Sequence, residues 1–182
     1  KEEDADTHAY RKAGAAVVAA RKKTHGSDLT VRFAGTSIEC MGAFAEGMLL
    51  RDYSYDEYKM QKEEDKEAER NVRITCDEGQ EEALEALVKV YAGVASGVHL
   101  SRDLGNCPPN DMYPEAYSDM AWEWAKQYEN VDVTIINYEH AMKAGMGGLV
   151  AVGMGSSRKP CMVIFEMNKE KEGRCPMLVG KG

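Results

Sequence analysis

Apolar positions from about Thr7 to Lys23, namely Tyr10, Gly14, Val17 and Val18 with Arg21 beyond them, recur at helical spacing. The basic last turn complements the helix dipole, so the pattern predicts a helix that Gly26 stops. The period then falls to two in Leu29-Thr-Val-Arg-Phe33, as in a half-buried strand, and Gly35 ends it. Thr36 and Glu39 have the spacing of a capping box, and Ile38, Met41, Ala45, Met48 and Leu49 lay an apolar stripe along the helix that follows. Between Asp56 and Arg70, eleven of fifteen residues are charged with signs interleaved, which predicts a solvated loop or helix surface.

Strand alternation returns in Asn71-Val-Arg-Ile-Thr-Cys76, after which Asp77 or a neighbour caps a long helix starting at Glu78. Leu84, Leu87, Val88, Tyr91, Val94, Ala95 and Val98 recur there at three- and four-residue steps. The helix stops at Asn106-Cys-Pro-Pro-Asn110, where two prolines remove donors and push Cys107 out of helical geometry, placing a boundary. Beyond it, Tyr117, Ala121, Trp124, Ala125 and Tyr128 form another helical stripe and Val131–Ile136 reads as a strand. Glu139 to Ala144 fits a short helix, and Leu149–Val152, Cys161–Phe165 and Met177–Val179 read as strands between glycine turns. Helices alternating with short apolar strands, without an internal repeat, predict an α/β architecture.

A length of 182 residues allows one ordinary domain or two small ones, and the 43% hydrophobic and 30% charged composition is that of a packed globular protein. The net charge of -8 argues against nucleic acid as a partner, since phosphate binding needs a surplus of Lys and Arg on one face. No apolar run approaches the roughly 20 residues that cross a bilayer, and no charged-then-apolar leader opens the chain, so no membrane association is expected. Five scattered cysteines without a CxxC pair fit reduced thiols in a cytosolic compartment. Residue 1 is Lys rather than Met, and the apolar Met177–Val179 run enters a loop at Gly180, so the sequence reads as a piece of a longer protein.

Candidate chemistry is sparse. The glycines of Gly145-Met-Gly-Gly148 and Gly153-Met-Gly155 invite a phosphate-loop reading, but a dinucleotide fingerprint needs a helix where Ser156-Ser-Arg-Lys-Pro160 leads to a strand. Turns or close backbone approaches account for them better. His8, His25, His99 and His140 form no HxxxH or HExxH pair. Trp122 and Trp124 cannot share a helix face, and Cys107 has no obvious base beside it. Lys181, between two glycines after an apolar run, falls where a strand end would present it, the usual place for sites in α/β folds, although composition alone predicts a solvent-exposed lysine.

Ser101-Arg-Asp-Leu-Gly-Asn-Cys-Pro-Pro-Asn110, Gly145-Met-Gly-Gly-Leu-Val-Ala-Val-Gly-Met-Gly-Ser156, Val163-Ile-Phe165 and Leu178-Val-Gly-Lys-Gly182, in this order and separation, resemble the leucyl aminopeptidase (cytosol aminopeptidase) family of two-metal exopeptidases. Gly47-Met-Leu-Leu-Arg-Asp-Tyr-Ser-Tyr-Asp-Glu-Tyr-Lys59 resembles the segment that precedes that family's linker helix. The resemblance implies part of an amino-terminal macro-like α/β domain over residues 1–77, a linker helix over 78–106, and the start of a catalytic domain over 107–182. It also implies a cytoplasmic homo-oligomer, a hexamer, that removes amino-terminal residues from peptides with two divalent ions, zinc, manganese or magnesium, and a bicarbonate base.

By motif, Lys181 corresponds to a lysine that ligates one of the ions, which requires its amine to be neutral; a nearby dication and burial would both favour that. The remaining metal carboxylates, the second lysine and the bicarbonate-associated arginine belong to motifs beyond Gly182, so no catalytic residue is assigned within this chain. One lysine cannot hold two dications. The expectation is a chain inactive by itself and belonging to a metal-dependent leucyl aminopeptidase; the alternative is a non-catalytic structural or assembly component derived from the same fold.

Overall fold

The computed structural model describes residues 2–21, 28–60 and 71–181, which form an α/β chain of two compact units, Lys1–Asn106 and Cys107–Gly182. Gly26 and His25, and all of the charged run beyond Met60 except its final neighbour Asn71, lie outside the described residues.

In the first unit α1 (Glu2–Arg21) is followed by β1 (Leu29–Arg32), α2 (Ile38–Arg51), β2 (Val72–Thr75) and α3 (Glu81–Asn106). β1 and β2 pair in parallel, Leu29 opposite Val72 and Arg32 opposite Thr75, a pairing that the crossover through α2 permits. The core lies along α2, whose Met41, Ala43, Phe44 and Ala45 are buried. Phe33 bridges the strand to both helices, its ring 5.2 Å from Phe44 and 6.0 Å from Tyr10. Two glycines let α1 and α2 touch backbone to backbone. A Cβ on Gly14 would lie 2.0 Å from the Phe44 carbonyl oxygen, and one on Gly47 would lie 2.0 Å from that of Arg11. Beside this contact the Arg11 Nε donates to Glu46 Oε2 at 2.6 Å. On its other side, α2 presents Gly42 to Leu87 and Tyr91 of α3.

Two expected caps are relocated. The α2 N-cap is Ser37, whose Oγ accepts from the Cys40 N–H, whereas the Thr36 hydroxyl donates to the Ala34 carbonyl and takes no part in a capping box. The Asp77 carboxylate accepts from the Gly35 N–H at 2.7 Å, tying the end of β2 to the turn after β1, while its carbonyl accepts from Gln80 ahead of α3. Local spacing was the same in each case; which oxygen met which orphan N–H depended on how the loop entered the helix.

The long helix buries only Leu84 and Ala95 fully, and Val90 remains 61% exposed. By length and composition alone α3 is long and apolar enough to cross a bilayer, against the expectation from its sequence runs. Lys89 pairs with Glu85 on its surface, and His99 and Arg102 in its later turns meet the Leu49 and Leu50 carbonyls of α2.

The second unit comprises α4 (Pro114–Ala125), β3 (Val131–Ile136), α5 (Tyr138–Lys143), α6 (Gly147–Gly153) and β4 (Met162–Met167). β3 and β4 pair antiparallel, Val131 opposite Met167 and Ile136 opposite Met162. Ala121 and Ala125 of α4 are buried, and Trp124 sets its ring edge-on to Phe165 of β4 at 5.7 Å, while Trp122 stays half exposed. Asn137 caps α5 through its side chain, accepting from the His140 N–H at 2.9 Å.

The expected strand Leu149–Val152 is helical, within α6. A four-residue apolar run does not distinguish strand from helix, and here the Val150 N–H donates to the Met146 carbonyl, so the helical turn closes locally. The expected strand Met177–Val179 has no regular structure, and its side chains are 85%, 97% and 88% exposed. A strand exists only through neighbours that take its backbone groups, and among the described residues none lies beside this run.

Candidate functional site

Lys181 follows that extended, exposed segment, and its side chain is exposed. Among the described residues no group of three or more His, Cys, Asp or Glu side chains is placed to hold a metal ion. The residues present therefore do not complete a two-metal centre. Lys181 offers one amine donor on an exposed segment.

The other resembling segments are brought together in an unexpected way. The Tyr53 hydroxyl donates to Asp103 Oδ1 at 2.8 Å and accepts from Asn106 Nδ2 at 2.9 Å. The Arg102 guanidinium lies 5.3 Å from the Tyr53 ring centre and donates to the Leu50 carbonyl at 2.7 Å, while the His99 ring nitrogen Nε2 is 3.1 Å from the Leu49 carbonyl. The last carbonyls of α2 thus meet groups of α3 in addition to the local cap, in which the Asp52 N–H donates to the Met48 and Leu49 carbonyls, and the stretch around Tyr53 is clamped to the stretch Ser101–Asn106. Removal from solvent, and then the Asp103 carboxylate, hold the Tyr53 phenol above its ordinary 10, with Asn106 opposing. Its spacing in the chain gave no hint of this pairing, because Tyr53 and Asp103 are 50 residues apart.

The glycine-rich segment makes a turn at Gly145 and then the helix α6. Gly145 adopts φ +71°, a left-handed value that favours glycine after α5, and a Cβ on Gly153 would lie 2.3 Å from the Pro160 ring. Of the other candidates, Cys107 is half-buried, His8 and His140 are exposed, and all five cysteines are thiols outside any disulfide.

Sequence reasoning passed over a cleft in the second unit, of about 590 Å³, between the start of α4, the end of β3 and the Ser157–Cys161 loop. Arg158 lays its guanidinium 3.8 Å over the Tyr113 ring centre, and Lys159 Nζ donates to the Met154 carbonyl at 3.0 Å beside Tyr138. At the floor the Cys161 thiol donates to the Pro114 carbonyl at 3.2 Å, and burial pushes it above its ordinary 9, so it is a neutral packed thiol. The signal available was the Ser-Ser-Arg-Lys-Pro run, which had been weighed only as the tail of a glycine turn.

Comparison with known proteins decides the family. The family model described as the cytosol aminopeptidase family, N-terminal domain, matches residues 1–62, and the one described as the cytosol aminopeptidase family, catalytic domain, matches residues 99–182. The chain belongs to the cytosol aminopeptidase family. It is similar over its whole length to a probable cytosol aminopeptidase of Pseudomonas aeruginosa strain UCBPP-PA14, 31% identical, and to one of Rhizobium leguminosarum bv. trifolii, 33% identical. It spans 38% and 37% of the lengths of these two members. Among solved structures, the bottromycin maturation enzyme BotP in complex with Mn aligns with a TM-score of 0.69 and 27% identity, covering 87% of this chain and 33% of that one. A tomato leucine aminopeptidase mutant aligns with a TM-score of 0.74 and 24% identity, covering 85% and 32%, and so shares the fold. The α/β architecture, with an amino-terminal domain leading into the start of a catalytic domain, is that of the cytosol aminopeptidase family.

Proposed function

We propose that this chain is the amino-terminal portion of a metal-dependent leucyl aminopeptidase, with an amino-terminal α/β domain over residues 1–77, a linker helix over 78–106 and the beginning of the catalytic domain over 107–182. The observation that carries the reading is the match of both domain models of one peptidase family, in order, to a chain spanning 38% of a relative. The whole protein removes amino-terminal residues from peptides in the cytoplasm as a homo-hexamer. It uses two divalent ions, a reading that the manganese in the BotP complex supports, together with a bicarbonate base.

Lys181 is the ligand this portion contributes. One lysine cannot hold two dications, so the chain by itself is expected to be inert as a peptidase, and no step of hydrolysis is assigned to its side chains. Folding of the apolar Met177–Val179 run into a sheet of the whole protein would bring Lys181 from water into a buried site.

The test is a leucine-p-nitroanilide assay with added manganese on the 182-residue chain and on the longer protein, each verified by intact mass. The chain is expected to match the metal blank, and the longer protein to turn over only with metal and to lose at least a hundredfold in rate on Lys181→Ala. Metal-dependent turnover by the chain alone, or full activity of the lysine variant, overturns the assignment. The exposed apolar residues of α3 favour a second reading, an assembly component without catalysis. A longer protein that oligomerises but hydrolyses nothing in any of the three metals would establish it.

A further inference from the structure

The cleft of the second unit carries charges of both signs that no protein group neutralises. The Arg158 guanidinium carbon lies 3.8 Å over the Tyr113 ring centre, a cation–π contact that holds the group at the cleft it lines. Glu115 and Glu139 line the same cleft. Among the described residues none of these three side chains forms an ion pair or a hydrogen bond. The floor groups, by contrast, are already used: the Ser118 hydroxyl donates to the Glu115 carbonyl at 2.7 Å and the Cys161 thiol to Pro114. The floor therefore sets shape and the rim sets chemistry. Between them Ile135, Met142 and Pro160 give an apolar wall, and about 590 Å³ is within the range of small-ligand sites.

A simple anion would face two carboxylates, and a simple cation would face Arg158 and Lys159. A ligand carrying both charges on one short frame matches both. We propose that this cleft binds a free α-amino acid, its carboxylate on the Arg158 guanidinium, its ammonium toward Glu139 and Glu115, and an apolar side chain against Ile135 and Met142. Arg suits the first contact because its planar fork matches a carboxylate. Lys181 is not among the residues that line the cleft, and the proposal does not depend on the aminopeptidase reading.

Met142 lines the cleft, so its methyl group reports occupancy. The full chain, labelled at its methionine methyls, is titrated with leucine, N-acetyl-leucine and leucinamide. Leucine is expected to shift the Met142 signal selectively, with each singly charged analogue binding about fivefold more weakly, the effect of losing one rim-exposed ion pair. Arg158→Ala should remove the advantage of leucine over leucinamide, and Glu139→Gln its advantage over N-acetyl-leucine. Both side chains are exposed, and the other methionine signals verify that each variant is folded. No Met142 shift with millimolar leucine, equal binding of the three compounds, or unchanged leucine binding in Arg158→Ala overturns the proposal.

Discussion

Replacing Gly47 by Ala tests whether the first unit is organised by the close contact of α1 and α2. The added Cβ would lie 2.0 Å from the Arg11 carbonyl oxygen, whereas ordinary contact begins at 3.4 Å, so the helices must separate by about 1.4 Å along that line. The clash is with backbone, and no rotamer change relieves it. Overpacking of this kind costs about 1–3 kcal/mol, and the better helix propensity of Ala returns at most about 1 kcal/mol. The net loss is about 1–2 kcal/mol, which for a domain of this size lowers the melting temperature by roughly 5–15 °C. Gly93→Ala in α3 is the internal control. A Cβ there meets nothing within 4 Å, so only the propensity gain of about 1 kcal/mol remains and the chain should become slightly more stable. Thermal unfolding followed by far-ultraviolet circular dichroism on both variants reads the contrast. Equal shifts, or a Gly47→Ala variant as stable as the parent, would refute the backbone contact.

Ser37→Ala should cost about 0.5–1 kcal/mol in urea unfolding through loss of the α2 cap, and Thr36→Ala clearly less; the reverse order would restore the capping box expected at Thr36. Cys161 should be alkylated by iodoacetamide much more slowly than exposed Cys175 in the folded chain at pH 8, and the two should converge in denaturant, as peptide mapping would show. Because the folded Cys161 thiol titrates above 9, its contribution to stability is present below pH 9 and lost as pH rises through the folded value. Tyr53 behaves alike one step higher: its contribution is present below pH 10 and lost above it, so Tyr53→Phe should flatten the fall in stability at alkaline pH. A parallel decline in parent and variant would exclude Tyr53 as the titrating group.

Legibility followed the range of the interactions. Helical stripes and strand alternation placed α1, α2, α3, β1, β2, α4, β3, α5 and β4 near their observed positions, because periodic burial is written into nearby residues. Short apolar runs failed where a partner decides: Leu149–Val152 closed into a helical turn, and Met177–Val179 found no neighbour among the described residues. The Tyr53 clamp and the mixed-charge cleft were hidden because each joins side chains from separate elements.

The sequence by itself determined the family and the α/β class, since these rest on residue identity and order. Only the tertiary structure decided that Gly14 and Gly47 serve a backbone contact, that the stretches around Tyr53 and Asp103 lock together, and that Lys181 lies in water in this chain. Identity is local and survives in the linear chain. Burial, pairing and donor geometry exist only when distant residues meet.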